Sequence, residues 1–172
     1  LKGAHYLLNA VAQLVPKYPD IKLLLVGKPK PGGSTERLIE RLGIADRIDC
    51  VTGISTEELV RHYNEAEIVV VPSVYEGFGL PAGEAMACGT AVVSTDGGAL
   101  PEVVGDACIQ VPVRDSEAIA RAVATLFDDP ERRASLALAG RERMENIFCW
   151  RKAALEMTDY YWQVIDRANR RF

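Results

Sequence analysis

The sequence predicts an α/β domain: a doubly wound parallel sheet with extra helices at its C-terminal end. Three observations carry that expectation. Short runs that are apolar on both faces recur along the chain, such as Ile68 to Val71 (IVVV), and strands of this kind belong in a parallel sheet covered on each side. Stretches with helical periodicity separate them, joined by short loops. After Pro130 the strand signals cease and only helical patterns follow. A length of 172 residues, 48% of them apolar and 26% charged, suffices for one core without disulfide or metal staples.

Taken in order, Tyr6, Leu7, Ala10, Val11 and Leu14 keep one face of a first helix. Ile21 to Val26 (IKLLLV) is a strand bounded by Pro19-Asp20 and Gly27. Leu38, Ile39 and Leu42 mark a second helix that ends near Gly43, and Arg47 to Val51 is a weaker strand. Ser55-Thr56-Glu57-Glu58 is a capping box: the Ser55 hydroxyl accepts from the N3 amide while Glu58 reaches back. Ile68 to Val71 is stopped by Pro72, and Ala91 to Ser94 and Cys108 to Val111 are further strands. Asp115 opens a helix over Ala118 to Phe127, closed by Asp128-Asp129-Pro130. Glu131 to Glu145 is a charged helix with a narrow apolar side (Leu136, Leu138, Ala139). Then Trp150, Ala153, Ala154, Met157, Tyr161, Val164, Ile165 and Ala168 recur at helical spacing as an amphipathic stripe. That stripe either packs onto the sheet or docks on something outside this chain.

Composition excludes several classes. A net charge of -4 argues against a nucleic-acid partner, which calls for a basic excess. No apolar run approaches the roughly 18 residues that cross a bilayer. Cys50, Cys88, Cys108 and Cys149 form no Cys-x-x-Cys pair, and the first three lie in or beside apolar stretches, so they are expected to be free, small hydrophobes in a reducing cytoplasmic setting. His5 and His62 have no companions at ligand spacing and read as structural or surface residues. The chain opens on Leu1-Lys2-Gly3 with neither an initiator Met nor a signal-peptide pattern, so a fragment or a processed product is expected.

The most informative stretch runs from Pro72 to Gly89 (PSVYEGFGLPAGEAMACG). A strand ends at Pro72, a loop punctuated by Gly77 and Gly79 follows, and Pro81 suits the first turn of a helix. Open α/β sheets bind ligands beyond the carboxyl ends of their strands, where N–H groups and the positive end of a helix dipole attract anions. Two carboxylates frame this place: Glu76 in the loop and Glu84, expected in the first helical turn. A carboxylate repels phosphate but accepts hydrogen bonds from hydroxyls. A ligand with phosphates in the middle and hydroxylated rings on both sides, a nucleotide sugar, accommodates both. The plainer reading has Glu84 stabilising the helix N-terminus and Glu76 solvated; the residue types leave both open. Lys28 and Lys30, in a proline-rich turn that is neither a P-loop nor a dinucleotide fingerprint, read as solvated.

These residues resemble retaining glycosyltransferases of the large family 4, whose GT-B fold pairs two Rossmann-like domains. The likeness runs from Lys2 to about Trp150 and covers only the C-terminal, donor-binding domain. It rests on Glu76 and Glu84 with Gly-Phe-Gly-Leu-Pro between them, on Pro72-Ser73, Glu84-Ala85-Met86-Ala87 and Gly89, and on Gly97-Gly98-Ala99-Leu100-Pro101-Glu102. Lys2-Gly3 and Val51-Thr52-Gly53-Ile54 match as well, and Phe148-Cys149-Trp150 stands where the family has Phe-Ser-Trp. The resemblance implies a Rossmann-like sheet over residues 1–147 lacking its first strand, and a C-terminal helix over 148–172 reaching toward an absent N-terminal domain. That first strand is central in the family, so a gap with unpaired edges is expected in the sheet, filled by another segment or marking a piece of a longer product.

The resemblance also implies roles. Glu84 would accept from the ribose hydroxyls, Glu76 would hold hydroxyls of the donor sugar, and Lys2 would pair with the diphosphate. Backbone amides of Phe78, Gly79 and Leu80 would face the sugar and the distal phosphate, and the backbone near Gly53 and Ile54 would contact the base. Glu76 and Lys2 are thus the expected catalytic groups, with no metal ligand and no cofactor; the partners are a nucleotide-sugar donor, an unknown acceptor and the absent domain. The expected activity is hexosyl transfer with retention, the fragment being inactive alone. Any peripheral membrane association is expected only through the missing half. The alternatives are a nucleotide-sugar-binding module without transferase activity, or another GT-B enzyme such as a sugar-nucleotide epimerase. A phosphorylase wants a lysine poised for pyridoxal phosphate, for which no good candidate stands here, and a nicotinamide enzyme wants a Gly-x-Gly-x-x-Gly turn that is absent.

Overall fold

A computed structural model describes residues 2–170; Leu1 and the last two residues of the 148–172 segment lie outside it. The elements alternate as the sequence predicts: α1 (Ala4–Leu14), β1 (Leu23–Val26), α2 (Ser34–Leu42), β2 (Ile48–Val51), α3 (Thr56–Glu65), β3 (Ile68–Val71), α4 (Leu80–Ala87), β4 (Ala91–Thr95), α5 (Leu100–Val104), β5 (Ile109–Val111), α6 (Ser116–Asp128), α7 (Pro130–Ile147) and α8 (Trp150–Asn169). The caps read from the sequence form. Ser55 and Glu58 complete a reciprocal capping box at α3, and the Asp115 carboxylate accepts from the Ala118 amide at the start of α6. The short helix α5 carried no periodic signal.

Strand pairing is parallel throughout. Leu23 to Val26 pair with Ile48 to Val51, Ile68 to Val71 with Ala91 to Ser94, and Val93 to Thr95 with Ile109 to Val111. The strands fall into two hydrogen-bonded groups, β1-β2 and β3-β4-β5. No described strand pairs with the second edge of β1 or of β3; on β1, Leu24 is 37% and Val26 60% exposed.

The helices cover both faces. Strand β4 is buried along its whole length because its side chains alternate between two cores. Ala91 and Val93 point to one core, built with Leu7, Leu8 and Val11 of α1, Leu38 and Ile39 of α2, and Ile119, Val123 and Leu126 of α6. Val92 points to the other, with Ala82, Ala85 and Met86 of α4, Leu100, Val103 and Val104 around α5, and Met144 of α7. The two strand groups share the first core, since Leu23, Leu25, Ile48, Ile68 and Val70 all pack against it. This is the doubly wound arrangement.

The last helix departs from one expectation. No residue of α8 is buried, and Trp150, Met157, Tyr161 and Ile165 of its apolar stripe are exposed. Packing of the stripe onto the sheet is therefore not what is found. The four cysteines are free, but Cys50 is exposed rather than buried as a small hydrophobe, although Ile48, two residues earlier on the same face of β2, packs on the first core. Burial pushes the Cys108 thiol up to about 12, as the hydrophobic reading requires. No helix among the described residues is long and apolar enough to cross a membrane.

Ile119 is fully buried in the core shared by both strand groups. Ile119→Ala is expected to cost about 2–5 kcal/mol in urea unfolding, through lost burial and the cavity left behind.

Candidate functional site

The site forms where β3 ends. Pro72 leads into the 73–79 loop, which is seated against the turn after β4 by backbone contacts too close for side chains. A Cβ on Gly98 would lie 2.2 Å from the Glu76 carbonyl oxygen, and Gly98 has φ +66°, which glycine alone adopts freely. The Ala99 amide donates to the Glu76 carbonyl at 3.0 Å. On the other side Gly3, also left-handed, starts α1 hard against Pro72: a Cβ there would lie 1.8 Å from the Pro72 carbonyl oxygen. The Lys2-Gly3 pair thus delivers Lys2 to the loop.

Glu76 is the centre of this arrangement. Its residue is 9% exposed, and Oε1 accepts from Lys2 Nζ at 2.6 Å and from the Ser73 hydroxyl at 2.8 Å. Ser73 is held in turn, its carbonyl accepting from the buried Thr95 hydroxyl of β4. Burial pushes the Glu76 carboxyl up, but the hydrogen bonds from Lys2 and Ser73 and the lysine's charge outweigh it, and the net result lies below the ordinary 4.5. The solvated alternative for Glu76 is excluded. Lys2 itself is 73% exposed on its side chain, so it reaches the carboxylate from the solvent side.

Beyond Glu76 the loop enters α4. Gly79 is its left-handed N-cap and Pro81 stands in its first turn. Among the described residues, the N–H groups of Phe78, Gly79 and Leu80 donate to no other group, as the exposed start of a helix allows. They stand at the positive end of the α4 dipole, beside the Lys2–Glu76 pair. Phe78 and Leu80 are exposed while Gly79 is buried, packed on Leu100 of α5. The Phe78 ring meets Phe148 edge-on at 5.8 Å, and the Arg143 guanidinium, which also holds the Val103 and Glu102 carbonyls at the end of α5, lies over Phe148.

Glu84 corrects the sequence reading in one respect. It lies in the second turn of α4, whose first turn carries no acid, so it does not act as an N-terminal dipole partner. Its carboxylate is exposed, and Oε2 accepts from the Tyr63 hydroxyl of α3 at 3.0 Å. Tyr63 is the residue that the sequence reading missed; nothing at a separation of 21 residues signals the contact. Gly53 and Ile54 form the turn between β2 and the Ser55 cap of α3, Gly53 exposed with φ +65°. They thus stand at the start of the helix whose far end touches Glu84. Lys28 and Lys30 are exposed and His62 lies 3.7 Å from Glu65.

With the geometry in place, comparison with known proteins gives a consistent outcome. The sequence profile described as "Glycosyl transferases group 1" matches residues 1–143. The chain is 41% identical over 170 residues to an MMP alpha-(1->4)-mannosyltransferase of Mycolicibacterium hassiacum, covering 97% of this chain and 41% of that protein. Its fold matches a sucrose-phosphate synthase of Thermosynechococcus elongatus with TM-score 0.84 at 37% identity, over 96% of this chain and 43% of the other. It also matches Anabaena Alr3699/HepE in complex with UDP-glucose, with TM-score 0.74 at 25% identity, over 84% of this chain and 41% of the other. The chain therefore spans about two fifths of the length of the proteins it resembles.

The opposed influences on Glu76 give a signed expectation. Lys2→Met removes the cation and leaves burial, so the Glu76 carboxyl midpoint, followed by carbon-detected NMR, rises. Because the folded value is depressed, the pair stabilises the fold above the ordinary carboxylate range and stops doing so as pH falls through the folded value. The stability difference between wild type and Lys2→Met is accordingly present at neutral pH and vanishes on acidification.

Proposed function

The chain belongs to the group 1 glycosyl transferases, and from that premise we propose that it is the donor-binding part of a retaining glycosyltransferase, holding a nucleoside-diphosphate sugar whose glycosyl group passes to an acceptor bound by an N-terminal domain. The observation that supports this most is the meeting of Lys2 and Glu76 at 2.6 Å beside the unengaged N–H groups at the start of α4. A cation and a helix N-terminus suit a diphosphate, and a desolvated carboxylate next to them suits sugar hydroxyls. Glu84, a carboxylate away from the cation, suits the ribose, and the Gly53-Ile54 turn suits the base. The UDP-glucose held by Anabaena HepE is a ligand of this class.

The chemistry follows from the charges. When the anomeric bond breaks, the sugar gains oxocarbenium character and negative charge grows on the departing diphosphate. Lys2 and the amides of Phe78, Gly79 and Leu80 stabilise that growing charge, and one such donor is worth roughly 2–4 kcal/mol by analogy with a single oxyanion-hole donor. Engagement of the diphosphate turns the solvent-side Lys2 ammonium from Glu76 and frees that carboxylate for the sugar. Glu76 positions the sugar and is not a nucleophile; retention arises from attack on the face the diphosphate leaves. Helix α8, exposed along its length, reaches toward the acceptor-binding domain. The chain alone is expected to bind donor without transferring it.

A thermal-shift panel with the diphosphates of uridine, guanosine and adenosine tests the reading. At a hundredfold excess over the dissociation constant, one of them is expected to raise the melting temperature by about 5–10 °C; no shift with any of the three overturns the donor site. Glu84→Ala is expected to weaken that nucleotide by about tenfold or more, the loss of hydrogen bonds to a charged acceptor. Glu76→Ala, in the whole enzyme, is expected to depress transfer more than nucleotide affinity, read as kcat against the calorimetric Kd.

A further inference from the structure

We propose that Tyr63 is a positioning residue for nucleotide recognition: its hydroxyl holds one oxygen of the Glu84 carboxylate and presents the other to the ribose. The inference rests on the reading of Glu84 as the ribose acceptor, and adds a residue and a task to it.

The geometry is that of a two-sided clamp. Tyr63 Oη donates to Glu84 Oε2 at 3.0 Å. Behind it, the Tyr63 carbonyl accepts from the Thr90 hydroxyl at 2.6 Å, and Thr90 is 5% exposed in the turn between α4 and β4. The phenol ring packs against the core formed with Ala82, Ala85 and Met86 of α4. Tyr63 is therefore fixed to the same helix from which Glu84 projects. Glu84 itself is exposed, and among the described residues Tyr63 is its side-chain hydrogen-bond partner, with none recorded at Oε1.

The chemistry of the partner matters. A lysine or arginine here would neutralise the carboxylate and compete with the hydroxyls it is to receive. A phenol is a neutral donor: it fixes the group while leaving its charge and one oxygen available. Burial, then the hydrogen bond to Glu84 and the glutamate's charge, raises the phenol pKa above its ordinary value, so the hydroxyl remains a neutral donor at neutral pH. An exposed glutamate without such a partner surrenders rotamer freedom when it binds; one already held surrenders less.

Calorimetric titration of the chain separates this role from a merely structural one. The probes are the nucleoside diphosphate that gives the shift in the panel above and its 2′-deoxy and 3′-deoxy analogues. Wild type is expected to bind the ribonucleotide more tightly than at least one deoxy analogue. Tyr63→Phe keeps the ring and is expected to weaken the ribonucleotide about three- to tenfold, while changing the discriminated deoxy analogue less than about twofold, so that discrimination shrinks. Equal weakening of both ligands, or no weakening of either, overturns the inference. Failure of the wild type to distinguish ribose from deoxyribose overturns the Glu84 reading beneath it, a result visible before any variant is made. A second measurement needs neither ligand nor variant: side-chain NMR couplings of Glu84 are expected to show a single χ1 rotamer, and averaged couplings in the wild type overturn the clamp.

Discussion

A buried carboxylate is the constraint around which this molecule is arranged. Removing Glu76 from water carries a penalty that only close partners offset. Lys2 and Ser73 supply them, and each draws in further structure. Lys2 reaches its place because Gly3 lets α1 start against the Pro72 carbonyl. Ser73 reaches its place because Thr95 of the buried strand β4 holds its carbonyl. The loop carrying Ser73 and Glu76 lies flush on Gly97 and Gly98, where any Cβ would collide with loop carbonyls. Segments distant in sequence are thus committed to one carboxylate.

The two glutamates of the motif show how environment divides labour between identical groups. Glu76 is desolvated and shares a cation, so its interactions are strong and directional. Glu84 is exposed, lies outside the Lys2–Glu76 ion pair and accepts a hydrogen bond from a phenol. On the donor-site reading proposed above, a central diphosphate with hydroxylated rings on either side would use this asymmetry: positive charge in the middle and acceptors at both ends.

Much of this was legible in the sequence because it is local. β-branched runs, the Ser55–Glu58 box, the Asp115 cap and Pro81 announce their elements by chemistry acting within four residues. The loop and helix carrying Glu76 and Glu84 were legible for the same reason. What escaped depends on partners remote in the chain. Leu100–Val104 is too short to display a period and is held at its end by Arg143 of α7. Glu84 falls in the second turn rather than the first because the helix already starts at Leu80, after the left-handed Gly79. Cys50 shares a face of β2 with the core-packed Ile48 and is exposed all the same, because cover at that end of the strand depends on segments remote in the chain. Tyr63 meets Glu84 only because the fold brings α3 and α4 together across a separation of 21 residues.

The joint between α7 and α8 has a mechanical meaning. A straight helix of 20 residues is about 30 Å long, so a swing of about 10° at its root carries its tip through about 5 Å. The root contains Phe148, whose ring rests edge-on against Phe78 of the loop beside Glu76. By geometry alone, any tilt of the exposed helix about this root is large at its far end and small at Phe148, the ring that meets the loop beside Glu76.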